Sequence, residues 1–228
     1  MALTIIAELG GNLFPYSRER LSRLLGAAKR SGVDAVKIQV FVAEHFIGFE
    51  AVDKRRLEFP RGELDHFVTQ VHLLGLLAGA SVFDIPAVRQ CRNSGVDFLK
   101  LAAREENNIA LRVSIQAEFL GTVYRSVNWP LFREVEPALR EITMAAVQIY
   151  PSIGLANLGN QFLAGSMPPV FGWSSHTDHW DDCLAAIRSG ASAIEKHLSL
   201  TKDDEEARWS LNEQRMTEAV TAMRAAYG

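Results

Sequence analysis

Ser31-Gly-Val-Asp-Ala-Val-Lys-Ile38 recurs as Ser94-Gly-Val-Asp-Phe-Leu-Lys-Leu101 and, more loosely, as Ser189-Gly-Ala-Ser-Ala-Ile-Glu-Lys196. Each copy follows an amphipathic stretch of helical period, such as Leu21, Leu24, Leu25 and Ala28 before the first. The glycine of each copy closes that helix in the left-handed conformation, which only glycine adopts cheaply. The apolar run after it predicts a strand buried in a parallel sheet. Working outward from the repeat, the same alternation predicts strands at 3–8, 35–40, 78–83, 97–102, 121–126, 143–150, 170–174 and 192–198. Eight strands alternating with helices predict a (β/α)8 TIM barrel, one domain over residues 1–228. A doubly wound open sheet is the rival, but Gly10-Gly11-Asn12 does not match its glycine-rich phosphate fingerprint.

Composition narrows the function. A 48% hydrophobic, 22% charged chain has an ordinary globular balance and length enough for a sizeable core. The net charge of -3 is spread without a basic run, which argues against nucleic acid as a partner. Glu8 interrupts the first apolar run before a signal segment could form, and no stretch is long enough to span a membrane. Cys91 and Cys183 lie alone in helix-like segments without metal-type spacing, as structural thiols of a reducing compartment do. A cytoplasmic chain is therefore expected.

In such a barrel catalysis sits at the C-terminal ends of the strands. Here nearly every predicted strand ends in a polar group: Glu8; Lys37 and Gln39; Ser81; Lys100 with Glu105; Ser126; Gln148 and Tyr150; Ser174 and His176; Glu195 and His197. A ring of such residues on one face is hard to explain as structure. His176 and His197 would end neighbouring strands, where two imidazoles can grip one divalent ion and leave positions open for substrate and water. Taken singly, each is better explained as a hydrogen-bonded structural histidine. Nitrogen and oxygen donors without thiolate suit Mn²⁺, Fe²⁺, Co²⁺ or Zn²⁺. Lys37 and Lys100, set in apolar strands, need an anion to meet them. That anion could be a bound phosphate or carboxylate, or simply Glu8 and Glu105 as neighbours; a Schiff-base lysine is a further option on such barrels. His45, His66, His72, His179 and the four tryptophans carry no such pattern. The acidic stretch Asp203-Asp-Glu-Glu206 is an ordinary solvated loop type, yet it follows the last strand and so overhangs the mouth.

These residues, in this order, resemble the catalytic barrel of the sialic acid synthases, the NeuB family. Phe171-Gly-Trp-Ser-Ser-His-Thr177 is similar to that family's G-[YL]-S-D-H-T, and Ile194-Glu-Lys-His-Leu198 to I-E-K-H-F. Ala7-Glu-Leu-Gly-Gly-Asn12 resembles A-E-I-G-x-N, Val36-Lys-Ile-Gln-Val-Phe41 resembles V-K-F-Q-T-F, and Ser81-Val-Phe-Asp84 resembles T-P-F-D. Lys100-Leu-Ala-Ala-Arg-Glu-Glu-Asn-Asn108 is similar to K-I-x-S-x-E-x-N-N, and Ile149-Tyr-Pro151 carries the family's Y-P turn. The resemblance implies metal-dependent condensation of phosphoenolpyruvate with an aldehyde sugar, giving a 2-keto-3-deoxy sugar acid and phosphate. It implies that His176 and His197 bind the metal, Mn²⁺ in the best-known members, with Mg²⁺, Co²⁺, Fe²⁺ or Zn²⁺ as alternatives. Lys37, Ser81, Lys100, Ser126 and Ser174 would hold phosphoenolpyruvate. Glu8, Glu105, Glu195 and Tyr150 would line the reaction centre; Asn12, Gln39, Gln148 and Glu206 would face the sugar, with a homodimer as the family's assembly.

The departures fall on one side of the site. Leu13, Ala103, Ser175 and Gln148 replace the family's usual histidine, serine, aspartate and asparagine, and no counterpart of its C-terminal antifreeze-like domain is expected. The phosphoenolpyruvate and metal halves are kept while the sugar half is changed. Rival expectations are a Kdo-phosphate-synthase-like condensation, a metal-dependent lyase or isomerase, and a barrel that only binds.

Overall fold

The computed structural model describes residues 2–45, 54–128, 141–146 and 172–228. Its strands are β1 (Thr4–Glu8), β2 (Ala35–Val40), β3 (Leu77–Val82), β4 (Phe98–Leu101), β5 (Thr122–Asn128), β6 (Glu141–Ala146), β7 (Gly172–Ser175), β8 (Ala193–Leu198) and the short β9 (Ser210–Leu211). Between and after them lie α1 (Arg18–Ser31), α2 (Leu64–Leu73), α3 (Ile85–Asn93), α4 (Ile109–Glu118), α5 (Asp181–Arg188) and α6 (Glu213–Tyr227). Each strand pairs in parallel with the next, and β8 returns to pair with β1 from Thr4↔Ala193 to Glu8↔His197. The sheet is a closed eight-stranded barrel wrapped by helices, as the repeat predicts. β9, which extends the end of β8 through His197↔Ser210, has no counterpart in the sequence-based expectation.

The three repeat glycines act as their position requires. Gly32, Gly95 and Gly190 have φ of 79°, 74° and 99°, and each stands just past a helix end. Side-chain caps set the opposite ends: Ser17 accepts from the Arg20 amide, Asp84 from Ala87, Asn108 from Leu111 and Asn212 from Arg215.

Strand alternation divides the core in two. Outward residues such as Ile5, Ala7, Val36, Ile38, Leu99 and Leu101 pack under the helices. Inward residues Ile6, Ala35, Phe98, Tyr124, Met144 and Ala193 form a separate apolar layer inside the barrel. The Phe98 ring meets Tyr124 edge-on at 5.3 Å and fills the space where Gly79 lacks a side chain. A Cβ there would stand 2.0 Å from the ring.

Some boundaries differ from expectation. β6 begins at Glu141 rather than 143, and β5 continues past Ser126 to Asn128. Residues 147–150 and 170–171 of the expected strands lie outside the described residues.

Candidate active site

Immediately above the apolar layer, the inward positions turn polar. Glu8 and Lys37 are register partners on β1 and β2, Ser81 and Lys100 on β3 and β4, Ser174 and Glu195 on β7 and β8. All six are buried, and they meet across the barrel. The Lys37 ammonium contacts the Glu8 carboxylate, donates to Ser81 Oγ at 2.5 Å and lies 3.5 Å from Glu195 Oε2. Lys100 Nζ donates to Glu195 Oε1 at 2.5 Å and to Ser174 Oγ at 2.9 Å, and the Ser174 hydroxyl in turn donates a hydrogen bond to Glu195 Oε1 at 3.0 Å. The other Glu8 oxygen accepts the Gly10 amide at 2.6 Å. Lys100 therefore pairs with Glu195, across the barrel, and not with Glu105 beside it in sequence.

Two cations facing two carboxylates in a dry interior set opposed pulls. Burial draws the Lys37 ammonium down to about 7 against the attraction of Glu195. Burial also pushes the Glu195 carboxyl up, but Lys100 and Lys37 overcome this and hold it well below the usual carboxylate range. Ser126 Oγ, on the inward face of β5, is buried and makes no hydrogen bond among the described residues.

One strand-repeat higher stand the histidines. His176 follows β7 and His197 lies on β8; their rings are 5.3 Å apart, centre to centre, and tilted by 56°. His176 is driven well below its ordinary pKa by burial, then by the neighbouring His197, so its imidazole is neutral. His197 Nδ1 donates to Glu206 Oε2 at 2.9 Å, which leaves Nε2 as a lone-pair donor. Glu206 reaches it because Gly10 has no side chain: a Cβ there would lie 2.3 Å from Glu206 Oε2, and Gly10 has φ 39°. The acidic loop is pinned throughout. Asp204 pairs with Arg20 at 2.7 Å, Glu205 with Arg56 at 2.8 Å, and the Glu206 amide donates to Asn12 Oδ1 at 2.7 Å.

The donor chemistry suits a divalent ion in part. Two imidazoles, one of them bonded to a carboxylate, are half of an open site, the rest left for substrate and water. Among the described residues no set of three or more His, Cys, Asp or Glu gathers to enclose a metal.

Other expected residues fall elsewhere. Asn12 is fully buried, and its amide is engaged with Leu198 O, Ser210 Oγ and the Glu206 amide, so it braces the loop. Glu205 and Glu206 are held against the β1 turn, and the Glu206 carboxylate is bonded to His197. Glu105 sits in a short turn after β4, accepting from Asn108 at 3.0 Å and pairing with Arg104 at 3.4 Å. Gln39 stands above Lys37, level with Ser81. Gln148 and Tyr150 lie outside the described residues. Lys196, which the strand pattern alone marks only as an outward residue, proves to be fully buried and bonded to Ser175 and Thr177, with burial lowering its ordinary pKa.

The model of the NeuB family matches residues 24–227. The chain belongs to the NeuB family. No curated protein sequence matches it. Among solved structures, this NeuB chain is similar to the N-acetylneuraminic acid (sialic acid) synthetase of Leptospira borgpetersenii serovar Hardjo-bovis, at 24% identity and TM-score 0.86, covering 100% of this chain and 84% of that one. It is also similar to a spore coat polysaccharide biosynthesis protein of Bacillus subtilis, at 23% identity and TM-score 0.78 over 99% and 68% of the two chains. A truncated 3-deoxy-D-arabino-heptulosonate 7-phosphate synthase of Thermotoga maritima shares the fold at 12% identity and TM-score 0.70, over 98% and 86%. Among the described residues no helix is long and apolar enough to cross a membrane.

Proposed function

We propose that this NeuB-family barrel condenses phosphoenolpyruvate with an aldehyde sugar to give a 2-keto-3-deoxy sugar acid and phosphate. The observation that carries the proposal is the stacking of two layers in one well. A buried Lys37–Glu8–Glu195–Lys100 network lies below, and a buried pair of facing histidines lies one repeat above it. Names of its structural relatives point to sugar-acid and polysaccharide synthesis, which agrees with this chemistry.

The lower layer fits the anionic substrate. Lys37 and Lys100 supply charge for a phosphate and a carboxylate, and Ser81, Ser126 and Ser174 supply hydroxyls at the same depth. His176 and His197 would hold a divalent ion, which when bound supplies Lewis-acid polarisation of the sugar carbonyl. C3 of phosphoenolpyruvate bonds to the aldehyde carbon, whose oxygen takes a proton. Water adds at C2, losing its proton to Glu8 or Glu195 as base. The C2 hydroxyl then gives its proton to the departing phosphate as C2=O forms and the C2–O bond to phosphate breaks, and the lysines stabilise charge on the departing group.

The test is inorganic phosphate release from phosphoenolpyruvate with a panel of aldoses and N-acyl aminosugars, with Mn²⁺ present or chelated. Release that requires both aldehyde and metal, and disappears in Lys100→Met and His176→Ala, is the expected outcome. If Mn²⁺ protects the fold but phosphoenolpyruvate neither protects it nor is consumed with any aldehyde, the proposal is wrong and a metal-dependent lyase or isomerase replaces it.

A further inference from the structure

We infer that Lys196 is a positioning residue that sets the spacing of the two histidines. This rests on the assignment of His176 and His197 as metal-binding residues. Lys196 adjoins His197 on β8 and is the register partner of Ser175, the residue before His176, with its side chain on the outward face of the strand. From β8 its ammonium donates to Ser175 Oγ at 3.0 Å, to the Thr177 carbonyl and, more weakly, to Thr177 Oγ1 at 3.4 Å. Those partners flank His176 on both sides. The same ammonium reaches the Trp209 carbonyl at 3.4 Å. Trp209 presents its ring to His197 edge-on at 6.4 Å, and the next residue, Ser210, is the register partner of His197. One buried cation thus ties the turn that carries His176 to the segment that backs His197.

The chemistry of its surroundings shows that this tie has a specific shape. Every hydrogen-bond acceptor of Lys196 is neutral, and no carboxylate forms an ion pair with it among the described residues. Asp182, the acid of this network, is taken by the Trp173 indole at 2.7 Å and the Thr177 hydroxyl at 3.2 Å. A fully buried ammonium is costly unless it is met by several well-placed oxygens. An apolar residue would be the cheaper choice if packing were all this position served. The cost is met by acceptors on two segments, shared among the three N–H groups of the ammonium, and by the attraction of the Asp182 and Asp178 carboxylates; a long cationic donor spans both segments at once.

The experiment replaces Lys196 by Met, which keeps the length and removes the donor. Two quantities are read: Mn²⁺ affinity by calorimetry, and the ring ¹H–¹⁵N resonances of His176 and His197 in metal-free protein, assigned from single-histidine variants. We expect Mn²⁺ affinity to fall about tenfold or more, the loss typical of removing a supporting partner. Both ring resonances should move, while the histidines of α2 stay in place. A residue of merely structural importance would lower the thermal midpoint and leave both readouts unchanged in the folded protein; that result overturns the inference. If Lys196→Met does not fold, Ser175→Ala removes one contact of the four. It must then give a smaller loss in the same direction, and unchanged affinity and ring resonances in it overturn the inference equally. Failure of the wild-type chain to bind Mn²⁺ would refute the metal assignment, and the ring resonances would still decide the role of Lys196.

Discussion

Replacing Glu195 by Gln should produce a protein whose stability depends on an added anion. Among the described residues Glu195 is the carboxylate that touches both lysines, at 2.5 Å from Lys100 and 3.5 Å from Lys37. An amide keeps the shape but removes the charge, and only its oxygen can accept. Lys37 retains Glu8, whereas Lys100 keeps, among the described residues, neutral acceptors alone: the Ser174 hydroxyl and the new amide oxygen. Breaking a buried pair by removing one partner costs about 3–5 kcal/mol, and the retained Glu8 argues for the lower end. At about 3 kcal/mol, and 2–4 °C per kcal/mol for a chain of this size, the midpoint falls by roughly 6–12 °C. Sulfate, standing in for the phosphate of the substrate, should restore most of this. At about 100 times its Kd it returns about 2.7 kcal/mol. In the unaltered protein the anion must compete with Glu195, so its effect there is smaller. The assay is a thermal melt across a sulfate series at constant ionic strength. A loss that is the same at every sulfate concentration, or no loss at all, would refute the view that Glu195 occupies the anion's place.

Three further outcomes follow from distances and charges already given. Because burial holds the Lys37 ammonium at about 7, its proton is present below that pH and lost as pH rises through it. Sulfate binding should therefore weaken about tenfold from pH 6 to pH 8, and a flat titration curve would contradict this. Gly79→Ala drives a Cβ into the Phe98 ring and should cost about 1–3 kcal/mol, read by chemical denaturation. Phe98→Leu in the same chain should recover part of the loss. Gly10→Ala meets both a positive φ and the Glu206 carboxylate, so Glu206 must leave His197; Mn²⁺ affinity by calorimetry should drop about 10–100-fold, as in Glu206→Ala.

The barrel was legible because its signals are local. A helix, a left-handed glycine and an apolar strand are contiguous in the chain, so Gly32, Gly95 and Gly190 mark three of the turns without reference to anything distant. The histidine pair was legible for a related reason, since consecutive strands of a parallel barrel are neighbours and their ends must meet. What could not be read is which groups meet across the interior. Lys100 is closer in sequence to Glu105, but barrel stagger and side-chain direction deliver it to Glu195. Asn12 carries the right chemistry for a sugar contact, yet the pinned acidic loop closes over it and consumes its amide. Lys196 was hidden by the very pattern that reveals strands. An outward position of β8 is expected to be apolar, and nothing in Ile194-Glu-Lys-His-Leu198 says that the loop after β7 turns its carbonyls toward it.

The apolar layer of Ile6, Ala35, Phe98, Tyr124, Met144 and Ala193 has a consequence for traffic. It packs the barrel interior directly beneath Glu8, Lys37 and Lys100, so those side chains are closed off on that side and turn toward the level of the histidines. On the proposed reading, the substrate that meets the lysines is therefore the deeper of the two, and the one held at the histidines lies over it.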